Sequence, residues 1–428
     1  MTTSIPRPRP AGRRRPADQP EGQPTAPRAP SRGPAAVVVV KRLFAAETGN
    51  YFLLLGATLF LVVFGLIMVL SSSSIEGHSQ PGGAFGGFLR QVLFAVLGIP
   101  LMLIAARMPA RFWKRWSGVF LIAAIALQLL VVLTPLGSSH GGNRNWITIG
   151  TFNAQPSELV KVALVIWLGY TLSKKIAVID DWRELIMPVV PIAGAAIGLV
   201  LIGGDLGTTI ILSAIVLGSF FFAGVKLRYI GVAIVVVGIL GFIAAFATGS
   251  RQNRIGSYLQ GCTSDATQSC WQTIHGWWAL ASGGIFGVGL GNSKAKWSWL
   301  PEADNDFIFA IIGEELGLIG AILVLVLFIV LAVSFVRIIR ANTDPFARIA
   351  TAAVMVWLVG QAFVNIAVVL GILPVLGVPL PLISAGGSAL VTSLIGIGIV
   401  LSFARHAPVR DEELADPIAQ PLSDRRRR

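Results

Sequence analysis

Five carboxylates stand together in Leu300–Gly317, LPEADNDFIFAIIGEELG: Glu302, Asp304, Asp306, Glu314 and Glu315. They precede Leu316–Val336, a long apolar run with no charged side chain. Ionisable groups at the mouth of an apolar segment are costly and point by default to function. Glu302 and Asp304 read as solvated loop charges, although Glu302 is kept among the candidate substrate contacts. Asp306 differs, because Phe307, Ile308 and Phe309 follow it at once. It is expected at a rim where water meets an apolar wall. A carboxylate there has a raised pKa, which suits a proton acceptor working near neutrality.

Other pieces carry chemistry of a different kind. Gly141–Trp146, GGNRNW, sets the guanidinium of Arg144 beside the indole of Trp146. That pairing suits a phosphate next to a sugar or an apolar group. Gln155–Lys161, QPSELVK, opens a helix with Pro156 and Ser157, both favoured at helix starts. Glu158 and Lys161 are spaced i, i+3 and can meet on one face. They read equally as a self-neutralising ion pair and as a substrate contact. Asp205 in Gly203–Thr209, GGDLGTT, reads as a helix cap in a tight turn. Gly287–Gly291, GVGLG, has no preceding strand, so close backbone packing or a tight loop is the better reading than a dinucleotide loop. Lys294 and Lys296 follow it and could face an anionic ligand. Gly371–Ser388, GILPVLGVPLPLISAGGS, is apolar yet carries Pro374, Pro379 and Pro381. It reads as a re-entrant segment lining a cavity, offering Ser384 and Ser388 to a ligand.

The elements that must position these groups are membrane spans. Mean hydropathy is +0.75 and charged residues make up 13% of the chain, against about 25% in soluble domains. The net charge of +13 does not imply nucleic acid, because the basic residues sit in tails and short loops between apolar runs. The expected fold is an all-α integral membrane protein with ten transmembrane helices. Eight begin near Tyr51, Gly86, Ser117, Ser157, Ile186, Leu206, Tyr229 and Asp306. The uncharged stretch Ile349–Ala404, 56 residues, is too long for one crossing and supplies the last two. With the N-terminus inside, 27 of the 34 Lys and Arg fall on the inner side, so both termini are expected in the cytoplasm.

The chain then divides into a basic, Pro-rich, disordered tail over 1–50, a membrane region over 51–404 and a second cytoplasmic tail over 405–428. A short apolar patch, Ala35–Val40, suggests an interfacial helix. The largest outer loop lies between the seventh and eighth helices and holds Cys262 and Cys270. On the oxidising face that pair suggests a disulfide, with two free thiols as the alternative. Two thiols and a lone His275 make a poor zinc site. No phosphate loop for ATP is present, and no Ser/His/Asp order suits a hydrolase.

Taken in order, GGNRNW, QPSELVK, DLGT at 205–208, the stretch 300–317 and PLISAGGS at 381–388 resemble the SEDS family of cell-wall proteins, from about Tyr51 to Ala404. The 300–317 stretch resembles the division branch more than the elongation branch. The resemblance implies a peptidoglycan glycosyltransferase using lipid II, with its loop aspartate at Asp306, working at the outer face of the cytoplasmic membrane in division. In that chemistry a sugar 4-hydroxyl attacks an anomeric carbon and a lipid diphosphate leaves. Asp306 would take the hydroxyl proton, and Arg144, Lys161, Lys294 and Lys296 would hold diphosphate. A divalent cation, Mg or Mn, could share that task, although the sequence has no dedicated cage. The resemblance also implies a class B penicillin-binding transpeptidase partner and other division proteins. A lipid II flippase is the alternative. It needs a polar path through the whole membrane, whereas the unusual polar groups crowd the outer half. The chain departs from the family in having Asp304 where His is common, and Gly203-Gly204 where Gln-Pro precedes the DLG.

Overall fold

The computed structural model describes residues 48–73, 85–140, 143–149, 152–179, 181–246, 252, 255–256, 258–259, 261–262, 268–297 and 300–405. The two expected tails, apart from residues 48–50 and 405, and the patch Ala35–Val40 lie outside the described residues.

The chain is an all-α membrane protein with a small sheet. Its helices are α1 (Gly49–Ser73), α2 (Gly86–Arg107), α3 (Ala110–Leu133), α4 (Pro156–Lys175), α5 (Trp182–Ile202), α6 (Leu206–Ala223), α7 (Leu227–Ala245), α8 (Gln268–Gly283), α9 (Ile308–Ala341), α10 (Pro345–Val369) and α11 (Gly387–Arg405). Among the described residues, α1–α3, α6, α7 and α9–α11 are long and apolar enough to cross a membrane. α4 and α5, at 20 and 21 residues, carry charges within their length. Local chemistry sets many of the ends. Asp181, Asp205 and Asp344 accept backbone N–H groups in the first turns of α5, α6 and α10, as caps do. Pro156 and Pro345 begin α4 and α10, where a missing N–H costs nothing.

Burial separates the centre from the lipid face. α10 and α11 are buried over 67% and 72% of their most apolar stretches, α7 over only 11%. α4 is central despite its charges. It packs on α3, α6, α10 and α11, and Glu158 and Lys161 are among its buried residues. An apolar helix can therefore lie at the rim here, while the charged one is enclosed. The reason is that lipid tails solvate Leu and Val as well as a protein core does, but only protein can satisfy the ions.

Two segments expected as plain outer loops have structure. Three strands, β1 (Gly137–His140), β2 (Asn143–Ile149) and β3 (Phe152–Ala154), form an antiparallel sheet in the order β1-β2-β3, in which Ser138 pairs with Trp146 and Ile147 with Ala154. The long segment between α7 and α9 contains α8, which packs on α9. Its disulfide, Cys262–Cys270, is formed.

The expected span from Asp306 begins as a helix at Ile308 and breaks at Gly317, where φ is 67° and ψ −162°. A break leaves helix carbonyls without their usual donors. Here Glu314 O accepts from Val288 N–H and Glu315 O from Gly289 N–H, both at 3.0 Å. In return Leu318 N–H donates to Gly284 O at 2.9 Å. The GVGLG segment is thus a backbone splint on the broken helix. Its glycines are needed for contact: a Cβ on Gly287 would lie 2.2 Å from Glu315 O, and one on Gly317 2.4 Å from Gly287 N. Gly317→Ala is expected to lower stability by about 1–3 kcal/mol or more, from the positive φ alone. Thermal melting in detergent measures it, and an unchanged midpoint would refute the splint.

Candidate functional site

Between the start of α4, the cap of α6, the loop before α9 and the segment 371–386 lies a cavity of about 90 Å³. Trp146, Glu158, Lys161, Asp205, Asp306 and Ser388 all line it. Residues far apart in the chain meet there because four element ends converge. Asn143, Gln155, Asn305 and Gln361 complete much of its polar wall.

Asp306 is half-buried at this wall, with Phe307, Ile308 and Phe309 fully enclosed behind it. A Cβ on Gly377 would stand 3.5 Å from its Oδ2. The absent side chain at Gly377 therefore leaves space beside the carboxylate.

Glu158 and Lys161 close their ion pair at 2.7 Å, almost wholly buried. Lys161 Nζ also donates to Gln361 Oε1 at 3.1 Å and stands 5.2 Å from the Trp357 ring centroid. Thr392 Oγ1 donates to Glu158 Oε2 at 3.2 Å. The pair neutralises itself, as one of its two sequence readings has it, and it lines the cavity.

Asp205 is the cap it was expected to be, accepting Thr208 N–H at 2.8 Å. Its other oxygen accepts from Gln155 Nε2 at 2.9 Å. Burial pushes the Asp205 carboxyl above the ordinary carboxylate range, against the pull of Thr208 and Lys161, while Glu158 pushes it further up. A carboxyl with a raised folded pKa keeps a proton that the unfolded chain has lost. Stability therefore falls as pH rises through the interval between the two pKa values. Asp205→Asn is expected to flatten this slope above about pH 4. Melting temperatures of the two proteins across pH check it, and parallel curves would show that folding does not raise the pKa of Asp205.

Five other sequence candidates, Arg144, Glu302, Lys294, Lys296 and Ser384, lie outside the cavity lining. Arg144 sits on β2, where its Nη2 donates to Thr134 O at 2.8 Å and its backbone N–H to Gly203 O at 2.7 Å. Glu302 is exposed and accepts from Asn305 Nδ2 at 3.2 Å. Lys294 is exposed, and its backbone N–H donates to Glu314 Oε1 at 2.9 Å. Lys296 is buried away from the cavity: its Nζ lies 3.2 Å from Glu315 Oε1 and donates to Gly291 O at 2.6 Å. The pair of lysines therefore does not face one ligand. Ser384 is buried and bonds the backbone of Asn305 and Leu380. Ser388 does reach the cavity, accepting Gln155 N–H at 3.4 Å.

Sequence reasoning passed over Asn143, Gln155, Asn305 and Gln361, and of these Gln361 lies outside every motif quoted from the sequence. A signal existed, since Gln361 and Asn365 are polar residues one turn apart inside an uncharged apolar run. Among the described residues no three His, Cys, Asp or Glu side chains converge to hold a metal ion.

The family described as Cell cycle protein, comprising FtsW, RodA and SpoVE, matches residues 52–408. The chain is 39% identical over 359 residues to a probable peptidoglycan glycosyltransferase FtsW of Mycobacterium tuberculosis, covering 84% of this chain and 68% of that one. It is 34% identical over 362 residues to the stage V sporulation protein E of Bacillus subtilis, covering 84% and 98%. Among solved structures, the rod shape determining protein RodA of Thermus thermophilus superposes with a TM-score of 0.62 at 22% identity, covering 86% of this chain and all of that one. A chain from a peptidoglycan synthase complex that coordinates polymerization and crosslinking superposes with a TM-score of 0.67 at 23% identity, covering 83% and 98%. At these identities the structures speak for the fold.

Proposed function

The chain belongs to the FtsW/RodA/SpoVE family of cell cycle proteins, and from that membership we propose that it is a peptidoglycan glycosyltransferase that polymerises lipid II at the outer face of the cytoplasmic membrane in septal wall synthesis. The observation that carries the mechanism is the half-buried Asp306 carboxylate on a polar cavity wall shared with the Glu158–Lys161 pair.

Asp306 accepts the proton of the sugar 4-hydroxyl as its oxygen attacks the anomeric carbon of a second lipid-linked disaccharide. The bond to the lipid diphosphate breaks, and the diphosphate leaves as an anion. It needs positive charge more than a proton. Lys161 is the cation on the cavity wall, although Glu158 already neutralises much of its charge. Arg144 and Lys294 are the exposed cations assigned to the diphosphate from outside the wall. Trp146 offers a ring face to a sugar, and Ser388 a hydroxyl.

The topology we assign has ten crossings, α1–α7 and α9–α11, with both termini in the cytoplasm and the segment holding α8 as the large outer loop. The bias of Lys and Arg supports that orientation. With it, the cavity lies in the outer half of the membrane. A flippase needs a polar path through both halves, and the cavity is confined to one end of the bundle, so transport is not favoured. A class B penicillin-binding transpeptidase is the partner that would crosslink the strands, with other division proteins bringing both to the septum.

The test is direct. The protein, purified with its transpeptidase partner, is given lipid II and the products are separated on a gel. Glycan polymer is the expected result. No polymer from a folded complex with an active partner and sound substrate would overturn the enzyme reading.

A further inference from the structure

The loop carrying Asp306 has no regular secondary structure between Leu300 and Phe307. A base on such a loop needs something else to hold it. Three consecutive carbonyls of the loop each receive a donor, two from the segment 371–386 and one from α10. Asp304 O accepts from Ala385 N–H at 2.9 Å. Asn305 O accepts from Ser384 Oγ at 2.7 Å. Asp306 O accepts from Asn365 Nδ2 at 2.7 Å.

Asn365 is the link that touches Asp306 itself. It lies on α10 with 1% of its surface exposed. The same amide nitrogen donates to Val378 O at 2.8 Å. Val378 follows Gly377, the residue that borders the Asp306 carboxylate. One side chain thus pins both the peptide of Asp306 and the segment facing its carboxyl group. Its own Oδ1 is buried with no partner, an uncompensated cost. A residue that carries that cost is there for its donors. Fixing the carbonyl of a residue fixes its ψ, and with it the direction of the Cα–Cβ bond.

We infer that Asn365 is a positioning residue for Asp306, aiming the carboxylate through its backbone carbonyl and the 377–378 peptide, with Ser384 holding the preceding residue in the same way. This rests on Asp306 being the base. It also gives Ser384 a part in the site that differs from contact with substrate.

The experiment measures polymerisation rate against lipid II concentration for wild type, Asn365→Leu, Ser384→Ala, Ser384→Thr and Asp306→Asn, each in complex with its partner. Asn365→Leu keeps the shape and removes the donors. A misplacement on the scale of an ångström costs about 100-fold, so kcat is expected to fall roughly 10- to 100-fold. KM should stay within about two-fold, because the cavity wall still binds substrate. A folded Asn365→Leu with wild-type kcat, or one changed only in KM, overturns the inference. If Asn365→Leu does not fold, the serine variants decide. Loss of kcat in Ser384→Ala with recovery in Ser384→Thr supports it, and equal rates in the two overturn it. An Asp306→Asn that still polymerises sinks the base assignment. An inactive Asp306→Asn beside a fully active Asn365→Leu sinks only the positioning.

Discussion

Asp306→Asn is expected to abolish polymerisation while leaving the protein folded. The asparagine keeps the shape of the carboxyl group and cannot accept the hydroxyl proton. Positioned proton transfer contributes about 10²- to 10⁴-fold, and the loss should appear in kcat with little change in KM. The fold should tolerate the change for a stated reason. Asp306 is only half-buried, and the contact that anchors it to α10 uses its backbone carbonyl. The measurement pairs initial rates with thermal melting. A folded variant within a few-fold of the wild-type rate would move the base elsewhere. Asp304 and Glu302 share the loop, but Asp205 and Glu158 are the other carboxylates on the cavity wall.

Lys296→Met is expected to destabilise the protein severely, and its effect should be on the fold before it is on activity. Lys296 and Glu315 have side chains 1% and 0% exposed. Removing one member leaves the other buried without its counter-charge, which costs about 3–5 kcal/mol. More than a pair would be lost. Lys296 also ties Ser71 O at the end of α1 and Gly291 O in the splint to the broken helix α9. Ser71 Oγ donates to both oxygens of Glu315, at 2.7 and 2.6 Å. Three segments therefore share one buried charge cluster. The double variant Lys296→Met, Glu315→Gln should recover much of the loss, since no bare ion remains. Melting midpoints of the two single variants and the double measure the coupling. Simple addition of the single effects would show that the pair does not act as a unit.

Sequence alone determined the class and most of the architecture. Hydropathy and the spacing of charges mark each long helix, because a membrane demands about 20 apolar residues per crossing and tolerates few ions. The cap at Asp205 and a tight or closely packed backbone at Gly287–Gly291 were legible for a related reason, being local backbone chemistry, whereas the helix that those glycines splint was not. The pair Cys262 and Cys270 was readable from spacing and compartment. Asp306 stood out because a carboxylate against an apolar run is costly wherever it folds.

Only the tertiary structure decided which charges share a wall. Lys294 and Lys296 look alike in sequence, yet one is exposed and the other is locked to Glu315. Glu314 and Glu315 are adjacent, but Glu314 accepts from Lys294 N–H and Ser293 Oγ while Glu315 meets Ser71. These differences come from the break at Gly317 and from the arrival of α1 beside it, a contact across 244 residues of chain. Gln361 and Asn365 carry no charge and gave only a faint signal in an apolar run. Their importance comes from the irregular segment 371–386, whose carbonyls need donors that no local pattern supplies. Local rules fix where a helix starts and stops. Which side chain satisfies a distant carbonyl depends on how the helices pack, and that is settled only in three dimensions.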